Sequence, residues 1–294
     1  MCWGNNPFAI YGTILSGAFR SEMAIQATIK IMIPLLIASL GVMLAFKMKF
    51  WNIGGEGQLI MGGVFASYFA LFHADWPGFI LFPVMFIAGI IGGGIWALIP
   101  AFFKVKFGTN ETLFTLMLNY IALYLVSWLQ EGSWRDPAAN GFPKIASFDK
   151  SAVLPKLFGV QIGWVIALIL VAILFVYLRY TKQGYEISVV GESRATATYA
   201  GMNVQKIILR TMFLSGAVAG IAGMVQVTGS DRTLTTGVAG GVGYVIVAWL
   251  AQQPGVQRLL RSVLGSGKGL LGHAIPVRPV HRLGVLQGII CSSS

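Results

Sequence analysis

Long apolar runs alternate with short polar breaks along this chain, and the alternation predicts helices that cross a bilayer. A hydrocarbon core takes roughly 17–25 predominantly apolar residues per helix. Runs over 24–46, 53–72, 79–103, 112–130, 162–178 and 207–228 meet that length, and a shorter, glycine-rich run occupies 237–252. The breaks alternate in character. Lys47 and Lys49 follow the first run, Lys104 and Lys106 follow the third, and Arg179, Lys182, Arg194 and Lys206 lie between the fifth and sixth. The break from His73 to Gly78 is short with one Asp, and 130–161 mixes Glu131, Asp136 and Asp149 with basic residues. Short basic loops stay in the cytoplasm, so the chain is expected to start outside. With Pro137, Pro143, Pro155 and Trp134, the segment 130–161 reads as an ordered external cap. Met1 to Ile25 holds neither a full span nor the basic and apolar parts of a signal peptide. It reads as an external segment entered from a helix that is missing.

Composition sharpens this reading. Of 294 residues, 56% are hydrophobic and 11% charged, with a mean hydropathy of +0.74. A soluble domain carries about 25% charged residues, and so much apolar surface cannot be hidden in one water-soluble core. Disorder is excluded by the abundance of large apolar side chains. Cys2 and Cys291 sit near opposite ends, which argues against a disulfide scaffold or a thiolate metal site. The expectation is an all-α polytopic integral membrane protein of about seven transmembrane helices. The formal charge of +11 follows the loop pattern rather than a nucleic-acid surface. Part of it belongs to the tail: after Asp231 come Arg232, Arg258, Arg261, Lys268, Arg278 and Arg282 with no acid.

Small residues four apart let helix backbones approach where no hydrophobic force drives association. Gly89 with Gly93, Gly216 with Gly220, and Gly237 with Gly241 are such pairs, and Gly92-Gly93-Gly94 suggests a bend within a span.

Polar residues at membrane depth carry more information. Phe50-Trp51-Asn52-Ile53-Gly54-Gly55-Glu56-Gly57-Gln58 opens the second run, and glycines weaken a helix by nearly 1 kcal/mol each. A carboxylate at mid-bilayer costs roughly 2.5–3.5 kcal/mol. Glu56 therefore faces protein, a cavity or the interface. The stretch is either an interfacial turn or a broken helix lining a pathway. Thr109-Asn110-Glu111-Thr112 opens the fourth run, and Glu111, Thr115 and Asn119 fall on one helix face. Thr109 or Asn110 suits an N-cap. Capping leaves Asn119 unexplained, so the face is either a pathway stripe or a site of interhelical hydrogen bonding. Gln226, late in the sixth run, poses the same choice.

No Ser/His/Asp arrangement, His-x-x-x-His pair or paired intramembrane carboxylates appear in the sequence. Gly265-Ser266-Gly267-Lys268-Gly269 only glances at a phosphate loop: Ser262 replaces the first glycine and Gly269 the Ser/Thr that would hold magnesium. The chain is not expected to be an enzyme or to carry a cofactor. In the basic loop 179–206, Glu192 to Ala200 suits a short helix ended by Gly201. Its small, mildly polar surface suits a partner's groove; a plain connecting loop is the alternative.

Four stretches carry a family resemblance: Phe50–Gln58, Gly108–Ala122, Gly184–Val204 and Leu214–Gly223. Lying in order over about 4–252, they resemble the permease subunits of ABC importers of the branched-chain amino acid/ribose type, in the nucleoside and simple-sugar branch. The resemblance implies a permease in the cell membrane, moving a nucleoside or simple sugar. It also implies cytoplasmic ABC ATPase subunits, a second permease subunit and an external substrate-binding lipoprotein as partners. Glu192, Arg194, Tyr199 and Gly201 lie in the stretch that matches the family's ATPase-coupling helix. Asn52, Glu56, Gln58, Glu111, Thr115, Asn119 and Gln226 are the expected pathway residues, on position and polarity. Residues 1–252 would form the permease domain. The family begins with one more helix and continues past Gln253-Pro254 with apolar spans, whereas 253–294 is a basic tail. That tail is expected to reflect a reading-frame slip or to lie on the inner leaflet. The rival functions are a gradient-driven secondary transporter and a truncated, inactive permease.

Overall fold

A computed structural model describes residues 19–246 apart from 140 and 158, together with 11–13 and 16–17. Helix α1 (Glu22–Lys47) starts at Ser21, whose hydroxyl accepts from the Ala24 amide at 3.2 Å. Helix α2 spans Gly55–Phe72 and α3 Gly78–Phe107, the latter ended by Gly108 at a φ of +67°. Asn110 caps α4 (Glu111–Glu131) by accepting from the Thr112 amide at 3.0 Å. Helix α5 (Gly163–Tyr180) leads into two short helices, α6 (Lys182–Glu192) and α7 (Arg194–Tyr199). Then α8 (Val204–Val225) runs into one π-helical segment, Gln226–Asp231. The only strands among the described residues are β1 (Lys156–Leu157) and β2 (Val160–Gln161), an antiparallel pair with Lys156 opposite Gln161.

Among the described residues, α1, α3, α4, α5 and α8 with its π-helical extension are long and apolar enough to cross a membrane. The chain is a multi-pass membrane protein. Helix α2 has 18 residues but opens with Glu56 and Gln58, and it buries most of its length in protein. It can therefore be less apolar than a helix bathed in lipid. The run expected over 53–72 becomes helical only at Gly55, after non-helical residues 50–53. The glycine-rich run 237–252 passes through turns up to Gly241 and becomes helical at Val242. Its remainder and the basic tail lie outside the described residues, as do Cys2 and Cys291.

Helix α8 is the hub, packed against α1, α2 and α3. Glycines make this possible. A Cβ on Gly93 would collide with the Gly216 carbonyl oxygen, and one on Gly220 with that of Gly89. Two of the three small-residue pairs read from the sequence thus pack against each other; the third, Gly237 with Gly241, lies in turns rather than on a helix, and a Cβ on Gly241 would meet no neighbour. Gly92 and Gly94 face other neighbours, Met61 with Phe65 and Phe213 respectively. Helix α3 runs unbroken through all three glycines, which serve packing on three sides.

Lys47, Lys104 with Lys106, and Arg179 lie in the last turns of α1, α3 and α5, giving the bundle one basic end. At the other end, segment 132–162 is bound to the bundle by backbone: Phe148 donates to Arg232 at 2.8 Å and Leu154 to Thr228 at 3.1 Å.

Candidate functional site

Where α2 starts, the chain has few helical partners for its backbone, and side chains of Asn52 and of Thr115 and Asn119 on α4 supply them. Asn52 and Gln58 form a reciprocal amide pair: Asn52 Nδ2 donates to Gln58 Oε1 at 3.2 Å and Gln58 Nε2 to Asn52 Oδ1 at 3.1 Å. Asn52 Oδ1 also accepts from the Gly54 amide at 3.0 Å. Ser215 of α8 donates to the Gly41 carbonyl on α1 at 2.7 Å and lies 3.5 Å from Asn52 Nδ2. From α4, the Thr115 hydroxyl accepts from the Ile53 amide at 3.3 Å. Asn119 uses both ends of its amide: Oδ1 accepts from Gly57 at 2.8 Å, while Nδ2 donates to the Ile53 carbonyl at 2.9 Å and to the Tyr244 hydroxyl at 3.1 Å.

Glu56 completes the cluster. Its two oxygens accept from the Gly241 amide at 2.9 Å and the Gly243 amide at 2.7 Å. These amides stand where the chain turns helical at Val242, so the carboxylate sits where free N–H groups point outward and negative charge is favoured. Asn52, Glu56, Gln58, Thr115, Asn119 and Ser215 are all buried. Buried polar groups of this kind stay only when paired, and here each is. Two interrupted segments, 50–54 and 232–241, meet at this cluster. Irregular backbone at membrane depth is tolerated only inside protein or beside a water-filled cavity.

Glu111 and Gln226 stand elsewhere. Glu111 pairs with Lys104 at 2.6 Å at the basic end, one turn before Thr115. Gln226 lies in the π-helical segment at the far end of α8 and donates to Asp231 at 3.1 Å. The expected stripe Glu111–Thr115–Asn119 therefore divides. Its first member closes a helix junction, and the other two bind backbone across an interface.

Ser215, Tyr244, Gly243 and, in this role, Gly241 escape sequence reasoning, which names Gly241 only as a packing partner of Gly237. Ser215 lies within the Leu214–Gly223 stretch, which reads as helix packing, and the other three lie in a run too short to be a span. A hydroxyl directly before the first glycine of the Gly216–Gly220 pair was the available signal for Ser215.

At the basic end, α6 and α7 form a platform. A Cβ on Gly191 would collide with the Lys47 carbonyl oxygen, so α6 abuts the end of α1 directly. Glu186 pairs with Arg210 at 3.0 Å, tying α6 to α8. The helix expected over Glu192–Ala200 is broken at its first residue. Glu192 ends α6, and Ser193 turns the chain and caps α7 by accepting from the Thr196 amide at 3.2 Å. Gly201 follows with a φ of +74°, a conformation that favours glycine. Glu192, Arg194 and Gly201 are exposed, and Tyr199 is 96% exposed. Ala197 alone of α7 is buried, so the platform presents its polar side outward.

Residues 24–266 match the family described as the branched-chain amino acid transport system permease component. A guanosine ABC transporter permease of Bacillus subtilis is 31% identical over 268 residues, 87% of this chain and 76% of its own. A glucose ABC transporter permease of Haloferax volcanii is 30% identical over 255 residues, covering 82% and 67%. A nucleoside ABC transporter permease of Lactococcus lactis is 30% identical over 235 residues, covering 76% and 65%. No solved structure matches the chain.

Proposed function

The chain belongs to the permease-component family of branched-chain amino acid transport systems, and from that premise we propose that it moves a nucleoside or a simple sugar through the membrane of an ATP-driven importer. The permease role follows from the family. The substrate class rests on the cargoes named for its relatives, guanosine, glucose and nucleosides. The partners proposed are ABC ATPase subunits at the basic, cytoplasmic end, a second permease subunit, and a substrate-binding lipoprotein on the opposite side. Catalysis of ATP hydrolysis belongs to the ATPase partner.

The observation that carries the mechanism is the cluster around Asn119 and Glu56. It joins α1, α2, α4, α8 and the helix beginning at Val242 through hydrogen bonds of buried side chains that add to the helix packing. Such bonds are directional and exchange partners over short distances, which suits an element with two discrete arrangements. Closure of the ATPases would push on Arg194, Tyr199 and their neighbours. Through the contact of Gly191 with Lys47, the push would reach the segment 48–54 and the cluster. Asn52, Glu56, Gln58, Thr115 and Asn119 would thus set the gate. Glu111 would hold the adjoining helix end, and Gln226 the opposite mouth.

The test is uptake of radiolabelled guanosine and glucose by cells expressing the chain with its ATPase and binding protein. Asn119→Ala and Glu56→Ala are expected to abolish uptake while the protein still reaches the membrane. Arg194→Glu with Tyr199→Ala is expected to abolish uptake by preventing the ATPase from copurifying. Wild-type uptake by the first pair would overturn the gate, and normal ATPase copurification with the second would overturn the docking site.

A further inference from the structure

Helix α4 has two faces of different chemistry. One carries Thr115, Leu118, Asn119, Ala122, Val126 and Leu129 and is buried in the bundle. The other carries Leu113, Met117, Tyr120, Ile121, Tyr124 and Trp128, each more than half exposed. At 100° per residue these six fall within about 100° of one another. Tyr120, Tyr124 and Trp128 rise along that face over about 12 Å.

Two other exposed helix faces show what this molecule offers to lipid. On α3 the exposed middle residues are Ile87, Ile91 and Ile95, and on α5 they are Leu168, Ile169 and Ile173. Both are purely aliphatic. The α4 face instead holds two phenols in the middle of its span, and among the described residues neither hydroxyl has a hydrogen-bond partner. A phenol hydroxyl in hydrocarbon without a partner is costly, and tyrosine and tryptophan favour places where one end is wet.

Two other features lie near it along the chain. Tyr120 follows Asn119, whose amide holds the Tyr244 hydroxyl beside the polar cluster. Beyond Trp128, the Trp134 ring lies 6.3 Å from Tyr68 and 6.0 Å from Phe72. Aromatic side chains thus stand at several levels of the bundle, from Trp134 near the end opposite the basic loops to Tyr120 beside Asn119 in the chain.

We infer that Tyr120, Tyr124 and Trp128 form a stacking track that contacts the ring face of the translocated solute and helps select ring-shaped cargo. Stacking suits a transport path because it is tolerant of ring identity and is repeated at each step. Phenol hydroxyls add donors for ribose or sugar oxygens. This inference rests on the proposed substrate class, and the experiment below separates the two.

In a background with Cys2 and Cys291 replaced by serine, single cysteines are placed at 120, 124 and 128, and at Leu168 and Ile173 as lipid-facing references. A charged, water-soluble thiol reagent labels only thiols that water reaches. Labelling is expected at all three track positions, slowed by guanosine or glucose, and absent at the references. In uptake assays with the complete importer, Tyr124→Leu and Trp128→Leu are each expected to raise KM for the better of the two solutes about tenfold, the loss of one stacking contact. Tyr124→Phe, which keeps the ring and loses the hydroxyl, is expected to raise KM less than Tyr124→Leu. Unreactive track cysteines, labelling that neither solute slows, or an unchanged KM in both leucine variants each overturns the track. If the native importer moves neither solute, the proposed substrate class fails, and the inference is judged by the reactivity of the track cysteines alone: labelling at all three with none at the references supports it, and unreactive track cysteines overturn it.

Discussion

Asn119 illustrates how much one buried amide can hold. It satisfies a backbone donor at Gly57, a backbone acceptor at Ile53 and a phenol at Tyr244. Each group left unpaired by its removal costs about 1–3 kcal/mol. Asn119→Ala is therefore expected to lower the melting temperature in detergent as well as uptake. Asn119→Asp, which keeps the acceptor and loses the donors, should fall between. Glu56 behaves differently, since its partners are two amides at one helix start. Glu56→Gln retains one acceptor and turns an amide group toward the other N–H, so a smaller loss than in Glu56→Ala is expected in the same measurement. Glu111 is the contrast. Its pair with Lys104 lies partly exposed at a helix end, where such pairs contribute about 0–1 kcal/mol. Glu111→Gln should leave both melting temperature and uptake near native values.

Helices here are chosen less by propensity than by what they must touch. Helix α8 is rich in glycine because three neighbours press against it, and its contacts with α3 leave no room for a Cβ at Gly216 or Gly220. Gly220→Val is expected to cost about 1–3 kcal/mol or more by overpacking, read as a lost thermal transition or reduced membrane yield. Helix α2 reverses the usual rule for a membrane element. Being enclosed by protein, it tolerates Glu56 and Gln58 in its first turn and buries both. Helix α7 is short and exposed, so Tyr199→Ala alone should leave stability unchanged while weakening ATPase copurification.

At the scale of the molecule, the arrangement separates three tasks. The basic end presents α6 and α7, the centre carries the polar cluster where two interrupted segments meet, and the opposite end is bound over by 132–162. Among the described residues, no group of three or more acidic, histidine or cysteine side chains is placed to hold a cation. The central carboxylate Glu56 is engaged by backbone amides. ATP as the energy source follows from the family and from relatives that are ABC transporter permeases. With ATP supplied to proteoliposomes holding the complete importer, an ionophore that collapses proton and sodium gradients is expected to leave uptake intact. Uptake that stops with the gradient would instead establish the secondary-transport mechanism.

The sequence by itself determined the long spans, because apolar runs longer than a bilayer core and basic breaks between them admit few alternatives, whereas the short helix at 182–192 and the turns at 236–241 were not legible in it. Asn110 as a cap, Gly201 as a helix end and the two glycine pairs were equally legible, since each depends on neighbours within one turn or on one local rule. Tertiary structure decided what the polar residues are for. Nothing in the spacing of Glu111, Thr115 and Asn119 separates a residue paired with Lys104 from two that bind the backbone of α2. That difference arises only when α4 lies beside the interrupted segment 50–54. Likewise Glu56 acquires its role from amides at Gly241 and Gly243, nearly two hundred residues away. The contrast between the aliphatic faces of α3 and α5 and the aromatic face of α4 is written in the sequence, but which face of α4 is buried is not. Local interactions are encoded locally, whereas the pairing of a buried polar group depends on which distant segment the fold brings to it.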